Sequence, residues 1–259
     1  MKAATLFDHM ILVAGAVVMM APVVFLITQL DLAPTALRDL FGGLWRDGVN
    51  GTGINGARML VNSFVLAVGV AVTKTIFSLI AAFALVYFRL PGKEALYAII
   101  LMAMFFPIET RILPTFAVTH QLGLLNTYAG MILPIAASGL GVLVFRQSLK
   151  RIPIDVIDAA KIDGAGPMRI LFDIIIPILS PMIGALFVIL FVLGWNQYVW
   201  PIMTNTITQD HDTLVRGLTY AGAGSPLGIA LALLALLPPA VLVVVLQRWL
   251  MRGLTAGIH

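Results

Sequence analysis

Three ionisable residues, Lys74, Glu109 and Arg111, stand inside otherwise apolar stretches of the chain. A charged group at bilayer depth is costly and faces either a partner or a water-filled path. Counted inward from the more basic ends of their stretches, Lys74 and Glu109 lie at similar depth, roughly 20 Å at 1.5 Å per helical residue. Two kinds of chemistry fit. A Lys74–Glu109 or Arg111–Glu109 ion pair would staple two spans together, or the one surplus positive charge would help an anionic solute across. Amides pose a related question. Asn196 and Gln197 sit in the string Gly194-Trp195-Asn196-Gln197-Tyr198-Val199-Trp200-Pro201. Its aromatics suit an interfacial belt, whereas amides in lipid need a partner, which favours a lining for a translocation path. Asn62, with Ser63, is placed to contribute in the same way. Pro107 and Pro114 flank the Glu109–Arg111 patch and are candidate helix breaks, tolerated where protein or water satisfies the freed backbone.

A second group of charges lies in Ile152–Pro177, IPIDVIDAAKIDGAGPMRILFDIIIP, the longest polar interruption in the second half. Lys161 and Arg169 stand there against Asp155, Asp158, Asp163 and Asp173. Pro153 suits the first turn of a helix and Gly164 its end. Between them Asp155, Asp158 and Ile162 share a face, while Ala159 and Ala160 keep the helix slim. Pro167 starts a further helix that carries no charge after Asp173. A short helix capped at both ends and hung between two membrane spans is a docking handle; the bland alternative is an amphipathic helix lying on lipid.

Several chemistries are excluded or disfavoured. No cysteine is present, so disulfides, Cys-ligated zinc and thiol nucleophiles are ruled out. His9, His120, His211 and His259 lack ligand spacing, so no metal site is expected. Gly92-Lys93 is followed by Glu94, which is no phosphate-cradling loop, and energy must come from elsewhere. No catalytic cluster is seen, and no internal repeat of the kind secondary transporters show. The net charge of +4 reflects basic loops and calls for no nucleic-acid partner.

The elements that must position these residues follow from composition. Of 259 residues 60% are hydrophobic and 11% charged, far from the about 25% charged of soluble domains. Long, non-alternating apolar runs predict helices rather than a barrel. Six spans are expected, Met10–Leu30, Leu60–Phe88, Leu96–Val118, Tyr128–Phe145, Ile174–Met203 and Leu227–Leu250. Asp31–Arg58 reads as a glycine-rich loop with short helical pieces, and Asn205–Ser225 as a second polar loop. Ten basic residues (Lys2, Arg89, Lys93, Arg146, Lys150, Arg151, Lys161, Arg169, Arg248, Arg252) fall on one side against four (Arg38, Arg46, Arg58, Arg216) on the other. The positive-inside rule then puts both termini and the Ile152–Pro177 loop in the cytoplasm.

The order DAAKIDGAGPMRILFDIIIP resembles the coupling loop of ABC importer permeases, matching at Asp158-Ala159-Ala160, Asp163-Gly164-Ala165, Phe172, Ile174 and Pro177. Asp158 stands where that family usually has Glu, one methylene shorter, so a salt bridge to the partner is expected to be weaker or to need closer docking. The strings RMLVNSF, AFALVYFRLPG, PIETRILPTF, FRQSL, GWNQYVWP and QRWLMRGL extend the resemblance from Arg58 onward to the carbohydrate-type permeases, in particular the second permease subunit of sn-glycerol-3-phosphate importers. The resemblance implies an all-α membrane protein of the type I importer fold, one transmembrane domain over 1–259 with its coupling loop at 152–177. It implies a bacterial inner-membrane location and no enzymatic activity or cofactor of its own, ATP being bound by partner subunits. The implied partners are a second permease, a cytosolic ATPase dimer, an extracytoplasmic solute-binding protein and membrane lipid. On this view Asp158, Ala159, Ala160, Asp163, Gly164 and Ala165 couple to the ATPase, and Lys74, Glu109, Arg111, Asn62, Trp195, Asn196, Gln197 and Tyr198 are candidates for the path. Another sugar, polyol or phosphodiester is the alternative solute, and an ion-coupled secondary transporter the rival class.

Overall fold

The computed structural model describes residues 2–49, 54–206, 210–222 and 224–255, with the side chains at 2–5, 108, 109, 250 and 252–255 excepted. Every regular element among them is helical. In chain order they are α1 (Lys2–Thr28), α2 (Pro34–Arg46), α3 (Gly56–Tyr87), α4 (Lys93–Phe105), α5 (Ile108–Gln121) and α6 (Tyr128–Ile132). There follow α7 (Gly139–Leu149), α8 (Ile154–Ile162), α9 (Pro167–Trp195), α10 (Val199–Thr204), α11 (Leu214–Ala221) and α12 (Pro226–Thr255). A 3-10 turn, Leu133–Ile135, continues α6, and Ile170–Ile175 forms a π-helical turn inside α9.

Among the described residues four helices are long and apolar enough to cross a membrane, α1 over Leu6–Thr28, α3, α9 and α12 over Pro226–Trp249. Counting α4 with α5 and α6 with α7 as broken spans gives six. The expected third and fourth spans are thus not continuous. The third breaks at Phe106-Pro107, where proline removes a backbone donor and steers the preceding residue out of the helical region. Pro114, by contrast, is accommodated within α5. The fourth bends by 52° between the 3-10 turn and α7, where Pro134 and the Ser138 cap interrupt the ladder. The fifth ends at Trp195 rather than Met203, with α10 as a separate piece, whereas α12 runs unbroken through Pro238 and Pro239. Both expected loops hold an ordered helix, α2 with Pro34 in its first turn and α11 with Thr213 capping it; residues 50–53 and 207–209 lie outside the described set.

The core forms around α3, which packs on α7 and on α9, while α9 packs on α12. Helices draw together in lipid through small residues that let backbones approach, since apolar burial gives no net drive there. Gly194 is such a point: a Cβ there would stand 3.1 Å from Ala67 Cα and 3.1 Å from Val70 Cβ. Beside it Trp195 is edge-on to Phe64 at 5.1 Å between ring centroids. In contrast, α1 keeps its apolar surface outward from Leu6 to Val24.

Gly194→Val is expected to force α3 and α9 apart and cost about 1–3 kcal/mol, the usual range for overpacking. Thermal unfolding in detergent should show a clear fall in Tm, whereas Gly15→Val, where a Cβ meets nothing within 4 Å, should leave it near the parent value.

Candidate functional site

Lys74 lies half-buried in the middle of α3, and Arg111 lies in the first turn of α5, just past the break at Pro107. Together they line a cavity of ≈ 370 Å³ with Ser78, Ile100, Met104 and Ser138. They also line a smaller one of ≈ 140 Å³ with Thr115, Gln197 and Trp200. The two cations, with Ala137, therefore form the wall shared by the two spaces. Among the described residues no carboxylate forms an ion pair with either. The Glu109 side chain lies outside the described residues, so the pairing expected of it is not placed. Ser138 caps α7, its Oγ accepting from the Gly141 N–H at 3.2 Å, and Ser78 Oγ donates to the Ser138 carbonyl at 3.2 Å. Two positive charges and the start of α7, whose unpaired N–H groups carry partial positive charge, make this region suited to a negatively charged group.

The other path candidates separate. Gln197 borders the smaller cavity, Asn196 is exposed and Tyr198 is 40% exposed. Trp195 and Trp200 do not form an interfacial belt. Both are buried, Trp195 Nε1 donating to the Ala235 carbonyl at 2.9 Å and Trp200 Nε1 to the Met131 carbonyl at 3.1 Å. A buried indole N–H finds an acceptor, and here each acceptor lies on another helix. Asn62 is likewise spent on structure: its Nδ2 donates to the carbonyls of Asp210 (2.9 Å) and Asp212 (2.8 Å), and its Oδ1 accepts from the Tyr128 hydroxyl at 2.6 Å.

This staple at the end opposite α8 went unnoticed in the sequence. Arg216 Nη1 reaches Asp212 Oδ1 at 2.8 Å and donates to the Asn205 carbonyl at 2.9 Å. Burial pushes the Asp212 carboxyl above its usual range, opposed by Arg216 and by a hydrogen bond with Tyr220. Burial also lowers His211, against the pull of Asp210. The available signal was the Asp212/Arg216 spacing of four at the start of a helix.

The second site is α8. Its inner residues Ile157 and Ala160 are buried, while Asp155, Asp158, Ala159, Asp163 and Gly164 are exposed and Ala165 partly so. Pro153 occupies the N-cap position itself. Gly164 at φ +76° is left-handed, a conformation that favours glycine. It completes a Schellman end, with Ala165 N–H to the Ala160 carbonyl at 2.9 Å and Gly164 N–H to the Lys161 carbonyl at 3.0 Å. Asp158 pairs with Lys161 at 2.9 Å, each about half exposed. Such a pair stabilises by only about 0–1 kcal/mol and is easily exchanged for another partner.

A polytopic helical subunit with a rigid, outward-facing helix and a cation-lined cavity is the architecture of a transporter's membrane component. Residues 74–256 match the family described as binding-protein-dependent transport system inner membrane component, and the chain belongs to that family. It is 38% identical to the sn-glycerol-3-phosphate transport system permease protein UgpE of Brucella melitensis, across 96% of this chain and 95% of that one. With the protein of that name from Rhizobium meliloti it is 36% identical, with the same coverage. It also shares its fold, at a TM-score of 0.79 and 19% identity over 95% of its length and 96% of the other's, with a chain of a bacterial ABC transporter involved in the import of the acidic polysaccharide alginate.

Asn62→Ala should leave the Asp212 carbonyl and the Tyr128 hydroxyl short of a partner, the Asp210 carbonyl keeping Arg58 Nε at 3.2 Å, and destabilise by about 2–3 kcal/mol, read as a lower Tm in detergent. Gln197→Ala, whose Nε2 makes one long 3.4 Å contact to the Leu193 carbonyl, should leave Tm within a degree or two of the parent.

Proposed function

We propose that this chain is a permease subunit of an ABC importer for sn-glycerol-3-phosphate. It has no catalytic residues or cofactor of its own and works with a second permease, a cytosolic ATPase dimer and a solute-binding protein. Its termini and α8 face the cytoplasm of a bacterial inner membrane, as the ten-to-four basic asymmetry supports. The observation that carries the reading is α8, a short helix pinned inward by Ile157 and Ala160 and closed by the Gly164 cap, with Asp155, Asp158 and Ile162 presented outward. A partner that closes on ATP grips that face, and the subunit alternates between inward- and outward-open states. The solute assignment draws on the names borne by the relatives and on the chemistry of the cavity. A phosphomonoester is an anion that Lys74 and Arg111 attract and that Ser78 and Ser138 border.

Uptake of radiolabelled sn-glycerol-3-phosphate by cells dependent on this importer tests both halves. Gly164→Pro is incompatible with φ +76° and removes a cap N–H, a cost of about 3 kcal/mol at α8. It and Asp158→Lys are expected to cut uptake about tenfold or more while ATPase activity continues, since the grip rather than the motor is lost. Normal uptake in both variants would refute the coupling role. Lys74→Met should raise KM for sn-glycerol-3-phosphate about tenfold or more if the cation meets the solute. An unchanged KM with a lower Tm would make Lys74 a staple only. Competition by unlabelled sugars or phosphodiesters, with none by sn-glycerol-3-phosphate, would reassign the solute.

A further inference from the structure

The helix α4 is held to the molecule in an unusual way. None of its residues is buried in the apolar core, and it follows α3 through a turn in which Gly92 is left-handed. It lies antiparallel to α7 and meets it at two points. At the α8 end, Arg146 Nη2 donates to both carboxylate oxygens of Glu94, at 2.6 and 2.7 Å, and its guanidinium stacks on Tyr97 at 3.9 Å. The Arg146 side chain is only 10% exposed while that of Glu94 is 67% exposed, so the two-pronged, charge-assisted bond is shielded from water on its arginine side alone. At the cavity end, Gly139 admits α4 so closely that a Cβ would stand 2.9 Å from Met104 Cβ and 3.0 Å from the Ile100 carbonyl.

What lies at each end of this pair gives it direction. The residues after Arg146 run into α8 without slack: Lys150, Arg151 and Ile152 donate to the carbonyls of Arg146, Ser148 and Leu149, and the Tyr87 hydroxyl also donates to that of Leu149. At the opposite end Ile100, Ala103 and Met104 of α4 form one wall of the cavity holding Lys74 and Arg111. We propose that Glu94, Arg146 and Tyr97 are the joint that makes α4 follow α7, so that displacement of α8 moves the cavity wall. The proposal rests on α8 being the docking helix of an ATP-driven importer. Glu94, Arg146 and Tyr97 are positioning residues, none of which borders the cavity. Lysine at 146 would not replace arginine, because a single ammonium cannot present the flat two-pronged fork that grips Glu94 and stacks on Tyr97.

The absence of cysteine makes Ala103→Cys a single reporter on the α4 wall. In the assembled importer in proteoliposomes, ATP and vanadate are expected to change its labelling by a small water-soluble maleimide at least about fivefold, the lower end of typical coupling between sites. Glu94→Gln or Arg146→Lys in that background should shrink the nucleotide effect to under about twofold and lower the solute moved per ATP hydrolysed. Glu94→Asp, which keeps the charge, should retain part of both. Tyr97→Leu, which spares the ion pair, gives an independent route if the charge variants assemble poorly. A nucleotide effect and transport stoichiometry unchanged in Glu94→Gln and Tyr97→Leu, whatever happens to Tm, would overturn the proposal and leave a structural clasp. Absence of ATP-driven uptake in the parent complex would overturn the importer reading and the proposal together.

Discussion

Backbone N–H and C=O groups cannot be left facing hydrocarbon, because nothing there can bond to them. The design of this subunit follows from that constraint. Among the described residues, two interruptions in its membrane helices, at Ala136–Ser138 and at Asn196–Tyr198, border the spaces lined by Lys74 and Arg111, and a third, at Phe106-Pro107, falls between the lining residues Met104 and Arg111. Each freed group shown to be bonded is met from within the protein. Thr110 donates to the Pro107 carbonyl, Ser78 to that of Ser138, and the Trp200 indole to that of Met131. Breaks and cations occupy the same place, which also holds the polar surface an ionic solute would require.

The same constraint explains why the two ends of the subunit are built differently. At the end opposite α8, Asn62, Ser63, Asn205, Asp212 and Arg216 tie α3 to the segment between α10 and α11 through backbone carbonyls and N–H groups. Those groups are buried or nearly so and bonded largely to one another, and removing one leaves others unpaired. On α8 and in the first turns of α9 the paired charges are half-exposed or more and meet neighbours on their own helix, Asp158 with Lys161 and Arg169 with Asp173. One end is closed on itself; on α8 the backbone is capped while the outward side chains make only exposed, local pairs.

The sequence revealed α8 almost completely because its boundaries are set by local chemistry, Pro153 at one end and Gly164 at the other, and its charges exclude burial in lipid. It also pointed to Lys74 and Arg111, since isolated cations in apolar runs are conspicuous. Hydropathy could not show that the third and fourth spans are broken, because the residues on both sides of each break remain apolar; Pro107 was legible as a candidate, the Pro134–Ser138 bend was not. Trp195 and Trp200 misled for a related reason. An indole at a bilayer interface and an indole donating to a neighbouring helix have the same composition, and only Ala235 and Met131, distant in sequence, tell them apart. The structural bonds of Asn62 were hidden in the same way, two of its partners lying 148 and 150 residues away.

The central claim is that α8 is gripped by a separate ATP-hydrolysing protein. Ile162, 86% exposed at its C-terminal end, offers a direct test through Ile162→Cys in a chain that has no other cysteine. A short bifunctional cross-linker applied to inverted membrane vesicles should join this position to the ATPase subunit in one dominant product. Labelling of the same cysteine by a membrane-impermeant reagent on intact spheroplasts, with no ATPase adduct in the inverted vesicles, would contradict the account.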